Sequence, residues 1–146
     1  VTGVQTCALP ISWCLRAPLD TERMAAAGQL LLGEHDFSAY RGTGCQARSP
    51  IRCLERLAVT RAGDSVTVEV RANGFLYHMV RNIVGALVRV GAGDADPAWV
   101  AEVLASRDRR QGAATAPPQG LYLAEVHYPA GLGLPAAEPY PAWRDR

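Results

Sequence analysis

The stretch GFLYHMVRNIVGALVRVGAG, residues 74–93, constrains the fold more than any other part of the chain. On a helix of 3.6 residues per turn, Leu76, Met79, Val80, Ile83, Val84, Leu87 and Val90 fall on one broad apolar face. A face that wide must be covered by other elements, so the spacing predicts a core helix over residues 75–90, stopped at Gly91. Arg81 lies at the border of this face, with Tyr77 four residues before it and Gly85 four residues after it. An arginine there either snorkels, packing its stem while the head reaches water, or requires an anionic partner. Gly85 leaves room for a backbone or a ligand to approach closely. His78, Asn82 and Arg89 share the opposite, polar face, and no acid stands three or four residues from His78 to orient it. The histidine therefore reads as a surface residue or an RNA contact, not as a member of a catalytic triad.

Around this helix the chain alternates between sheet and helix patterns. Residues 13–15 read as a short strand. A helix follows over residues 20–32, capped by Asp20, with Leu19 and Met24 at the positions of a hydrophobic staple and Gly33 as its C-terminal stop. EHDFSAYRGTGCQARSP is polar and aperiodic, which predicts a loop. IRCLERLAVTR and SVTVEVRA, joined by the turn AGD, predict an antiparallel hairpin, with Val66, Val68 and Val70 facing inward. Asp96 and Pro97 open a helix over residues 97–106 with Trp99, Val100, Val103 and Leu104 as its buried stripe. LYLAEVHY predicts a final strand. The order predicts an α+β fold: an antiparallel sheet covered on one face by helices.

Charge and cysteine usage bear on function. The net charge of the 146 residues is +1, so no global basic field announces a nucleic-acid partner. The segment from Arg41 to Arg61 nevertheless holds five arginines (Arg41, Arg48, Arg52, Arg56 and Arg61) against the single acid Glu55. That segment is either a solvated strand face or a phosphate-binding face. The four cysteines have no CxxC or zinc-ligand spacing, and free thiols in a reducing cytoplasm are the simplest account. No stretch approaches the length of a membrane span, no metal site is expected, and the glycine-rich pieces RGTG and VGAG are too short for a phosphate loop.

VTGVQTCALPI, residues 1–11, carries neither charge nor periodicity and looks like a translated sequencing adapter, foreign to the fold. From Pro129 onward the chain is rich in proline and glycine. The sequence therefore divides into a non-native stretch (1–11), one domain (12–129) and an irregular arm (130–146).

GEHDFSAYRGTGCQARSPIR, GFLYHMVRNIVGALVRVG and APPQGLYLAEVHYP resemble, in order and spacing, the carboxyl-terminal half of the bacterial tRNA pseudouridine synthase A family; RAPLDTERMAAAGQLLLG and SRDRRQGAATAP fit between and around them. The resemblance implies a cytoplasmic homodimer that isomerises uridine to pseudouridine in the tRNA anticodon arm without a cofactor. It implies that Arg81 pairs with the catalytic aspartate and that Leu121 packs near the target base. It places Arg41, Arg48 and Arg52 where RNA contact is expected; His78, read from its place on the polar helix face, joins them as a candidate substrate contact. The family's aspartate sits in an RTDAGVH-like loop, and no aspartate here has that context. The expectation is thus a fragment carrying Arg81 without its nucleophilic partner, and inactive alone. Two other readings stand beside it: a non-catalytic RNA-binding α+β module, and a small-ligand or protein-interaction domain.

Overall fold

The computed structural model describes residues 12–133. Helix α1 spans Thr21–Gln29, and Asp20 Oδ1 accepts hydrogen bonds from the amides of Glu22 and Arg23, each 3.0 Å. Leu19 packs on the core that holds the buried Met24, as a staple requires. The helix ends at Gln29 instead of at residue 32, because the chain turns into a strand that the sequence did not announce. Strand β1, Gly33–Asp36, pairs antiparallel with β2, Ile51–Ala62, which pairs with β3, Ser65–Ala72, in the order β1-β2-β3. Gly33 opens β1 with φ +96 and is not the stop of α1. GEHD has no apolar alternation, so only its tertiary pairing, from Gly33 opposite Leu54 to Asp36 opposite Ile51, makes it a strand.

The segment expected to be a polar loop also supplies core. Phe37, Ala39 and Tyr40 are buried around a 3-10 turn at Ser38–Tyr40. The Tyr40 hydroxyl donates to the Val100 carbonyl at 2.9 Å, and burial pushes its pKa well above the usual phenol range. In β2 the register shifts between Leu54 and Arg56, a bulge at Glu55. The bulge resolves a mismatch of period: Leu54 and Leu57 are an odd number of residues apart, yet both are buried. Gly28 of α1 lies against Leu57, where a Cβ would collide with the leucine side chain, so helix and sheet meet closely. Val66, Val68 and Val70 pack partly buried against the same core.

Helix α2 is Met79–Gly91 and α3 is Pro97–Ser106. Leu76, Met79, Ile83, Leu87 and Val90 are buried as the wheel predicted, whereas Val80 and Val84 are half-buried. The helix starts four residues later than residue 75, because residues 76–78 form a turn that docks on Gly42: the Gly42 amide donates to the Tyr77 carbonyl at 2.7 Å. Asn82 is 2% exposed, which corrects its assignment to the polar face. Arg89 lies over the Trp99 ring at 4.6 Å. Among the described residues, no helix is long and apolar enough to cross a membrane.

The two outer strands expected from the sequence are absent among the described residues: residues 13–15 and 121–128 have no ladder partner there. Their apolar and aromatic content marks segments able to pair, and pairing requires a neighbour. The α+β class stands, with three strands and three α-helices among the described residues. Cys14 is disulfide-bonded, so the expectation of a free thiol fails there, because unpatterned spacing excludes metal motifs but not a disulfide. Cys45 and Cys53 are free. The expectation for residues 1–11 falls outside the described residues, as does most of the C-terminal arm, whose described part holds one 3-10 turn at Ala130–Leu132.

Candidate functional site

Arg81 leaves α2 through a half-buried side chain on the first turns of the helix. Its guanidinium is held by two groups. Nε donates to the Ala116 carbonyl at 2.7 Å, and Nη1 contacts His78 Nε2 at 3.0 Å. The Ala116 amide donates back to the Arg81 carbonyl at 3.1 Å. The loop after α3 can come this close because Gly85 has no side chain: a Cβ there would collide with the Ala114 carbonyl oxygen. The close approach expected at Gly85 is therefore made by backbone. Arg81 forms no ion pair with a carboxylate among the described residues, and its Nη2 has no partner there.

A buried polar cluster anchors the same loop from below. Asn82 Nδ2 donates to the Tyr40 carbonyl at 2.8 Å, and Asn82 Oδ1 accepts from Arg109 Nη2 at 3.0 Å and from the Thr115 hydroxyl at 2.7 Å. Arg109 Nη2 also donates to Thr115 Oγ1 at 3.0 Å. The sequence reading missed Asn82, Arg109 and Thr115. A polar residue one position from Arg81 on an otherwise core helix was the available signal for this cluster.

The Arg41–Ala47 loop forms the other wall. Arg41 Nη2 donates to the carbonyls of Cys45 at 2.6 Å and Ala47 at 2.8 Å, so this arginine cages its own loop. Gly42 presses on the Tyr77–His78 turn, and a Cβ there would lie 3.0 Å from Tyr77 and His78 atoms. Hydrogen bonds from the Tyr77 and Ala47 backbones, with the Arg41 guanidinium, hold the Cys45 thiol below its usual range. Arg52 turns back on the carbonyls of Ser49 at 3.0 Å and Ile51 at 2.6 Å, whereas Arg48 is exposed with no hydrogen bond or ion pair among the described residues. Arg56 and Arg61 are also engaged, with Glu69 at 3.9 Å and with the Leu19 carbonyl at 2.6 Å. Of the five arginines, Arg48 alone has its guanidinium uncommitted within the described chain. Leu121 is 49% exposed and follows Ala116 through a turn closed by its amide on the Pro118 carbonyl at 3.2 Å. The site thus gathers Arg81, His78, Tyr77, the Arg41 loop and the Ala114–Ala116 loop, with Leu121 on the continuation of that last loop.

Residues 27–129 match the family model described as tRNA pseudouridine synthase. The chain belongs to the tRNA pseudouridine synthase family. It is 56% identical over 123 residues to tRNA pseudouridine synthase A of Methylococcus capsulatus, covering 84% of this chain and 45% of that protein. It is 51% identical over 125 residues to the Coxiella burnetii protein of the same name (86% and 48%) and 50% identical over 133 residues to that of Alcanivorax borkumensis (91% and 49%). The chain spans about half the length of the curated relatives it matches. The matched family region contains every residue of the site just described, and it extends through the exposed segment 121–128.

Proposed function

We propose that this chain supplies the arginine side of a uridine-isomerising site acting on the tRNA anticodon arm. The observation that carries the reading is the state of Arg81: a guanidinium locked in place by Ala116 and His78, with Nη2 unassigned and no carboxylate beside it among the described residues. A snorkelling arginine would have no need of two fixed partners. A fixed cation beside a carboxylate keeps that carboxylate ionised and oriented, which a nucleophilic aspartate requires. The chemistry breaks the bond from the ribose C1′ to N1 of uracil and forms one from C1′ to C5. N1 gains a proton and C5 loses one, so no net redox change occurs and no cofactor is required. The base must leave its stack to be reached, and Leu121 offers an apolar surface for it. Arg48, exposed and uncommitted, is the best placed of the loop arginines to meet a phosphate, and Arg41 and Arg52 follow only if they release their backbone carbonyls. The working protein is a cytoplasmic homodimer in this reading.

The test joins residues 27–129 of this chain to the remaining part of the Methylococcus capsulatus relative. This chimera should form pseudouridine in unmodified tRNA, and the 146-residue chain alone should form none. Turnover by the chain alone would remove the reading that its nucleophile lies elsewhere. A second reading, a non-catalytic RNA-binding module, is favoured only if the chain binds tRNA in a salt-dependent manner and the chimera, folded, is inert.

A further inference from the structure

His78 has a backbone that demands a reason. Its φ is 57 and ψ is 8, in the left-handed region that residues with side chains rarely adopt. Arg107, the other non-glycine described residue with positive φ, closes α3, where left-handed caps are ordinary. His78 instead opens α2, where the ordinary cap is extended and its side chain bonds to the first free amides. The His78 side chain makes no such bond. The strain is therefore not offset by capping.

The side chain is spent elsewhere. The imidazole stacks on Tyr77 with ring centroids 3.8 Å apart and planes inclined 22°, and its Nε2 meets Arg81 Nη1 at 3.0 Å. A guanidinium nitrogen only donates, so Nε2 must be the acceptor and the ring proton sits on Nδ1. Ala116 holds Nε from a different segment. With Nε taken, Arg81 cannot offer a carboxylate its side-on Nε and Nη2 edge. What remains is Nη2, alone or end-on with the second Nη1 hydrogen.

We propose that His78 is a positioning residue for Arg81: the left-handed turn exists to aim Nε2 at Nη1, and the two anchors together fix which edge of the guanidinium meets the anionic partner. The proposal rests on the site reading above and goes beyond it by assigning this histidine to the arginine, not to RNA.

Two substitutions separate backbone from acceptor. His78→Gly accepts the left-handed conformation without strain and deletes the acceptor. His78→Asn also tolerates that conformation and keeps an acceptor oxygen on a shorter arm. In the 146-residue chain, nitrogen NMR should find the His78 ring proton on Nδ1 and hindered rotation of the Arg81 Nη1 group. His78→Gly should free that rotation and leave the Nε proton protected by Ala116. In the chimera, His78→Gly should lower kcat about 10–100-fold with KM within about threefold, the scale expected when a reacting group is misaimed. His78→Asn should recover part of the loss. If Arg81→Ala leaves the chimera fully active, the site reading itself falls. If Arg81→Ala abolishes turnover while His78→Gly changes neither kcat nor the Arg81 resonances, only the positioning role falls. A rise in KM alone would return His78 to the RNA contacts.

Discussion

Arg81 and Ala116 are hydrogen-bonded in both directions, side chain to carbonyl at 2.7 Å and amide to carbonyl at 3.1 Å. The loop that follows α3 is thereby fastened along α2, and Arg81 is itself one of the fasteners.

Gly85 is what allows the fastening, so Gly85→Ala should be destabilising. In an exposed helix the same change would stabilise by roughly 0.5–1 kcal/mol. Here the new Cβ would collide with the Ala114 carbonyl, and overpacking of this kind costs about 1–3 kcal/mol. The steric term wins. Urea unfolding should show a lower midpoint, and a higher midpoint would mean that the loop is not seated on α2.

Asn82 joins α2 to Tyr40, Arg109 and Thr115, and Asn82→Ala should cost about 2–3 kcal/mol by stranding the Tyr40 carbonyl and the Arg109 guanidinium. Asn82→Asp keeps an acceptor for Arg109 but loses the donor to Tyr40, so its loss should be of a different size. Equilibrium unfolding of the two variants checks both. Equal stability of Asn82→Ala and the parent would show that water replaces the amide without penalty.

How legible the molecule was depended on where the information lay. The α2 face, the α3 stripe and the β3 valines were legible because burial repeats at the period of the element that carries it. Asp20 was legible because a cap is a local hydrogen bond. β1, Phe37 and Tyr40 were not, because their environment is set by β2 and α3, far along the chain. LYLAEVHY has the apolar and aromatic content of a strand, yet has no ladder among the described residues, and its Leu121, Leu123, Val126 and Tyr128 are exposed. For the site, Arg81 stood out as a charge on an apolar helix. Its two anchors did not: Ala116 acts through its backbone, which no sequence pattern marks, and the acceptor role of His78 follows from a left-handed turn.

Asp36 carries a pH signature. Its carboxyl is held below the usual range first by hydrogen bonding to the Ser38 side chain, then by the Ser38 amide and the Arg107 charge, against the opposing effect of burial. A carboxylate with a depressed folded pKa contributes stability that is complete above its unfolded value, about 3.9, and is lost as pH falls through the lower folded value. Asp36→Asn should therefore be less stable than the parent at pH 6, with the gap closing below about pH 4. Unfolding midpoints across that range are the measurement, and a gap independent of pH would show that the Asp36 charge contributes nothing.

Arg81→Ala should separate chemistry from binding in the chimera. Phosphate contacts supply most of the affinity for RNA and are spread over many groups, so removing the one guanidinium that the proposed function gives to a carboxylate should change tRNA affinity little, about fivefold at most. If Arg81 holds the nucleophilic carboxylate, as proposed above, the same removal deprives that carboxylate of its orienting cation and should lower turnover by roughly a hundredfold or more. Arg81→Lys should rescue poorly, because an ammonium cannot keep the in-plane bonds to Ala116 and His78 and still present a donor edge to a carboxylate. Single-turnover rates and filter-binding constants on unmodified tRNA decide the matter. A loss of affinity as large as the loss of rate would place Arg81 among the RNA contacts, and the fixed guanidinium would then be a phosphate clamp.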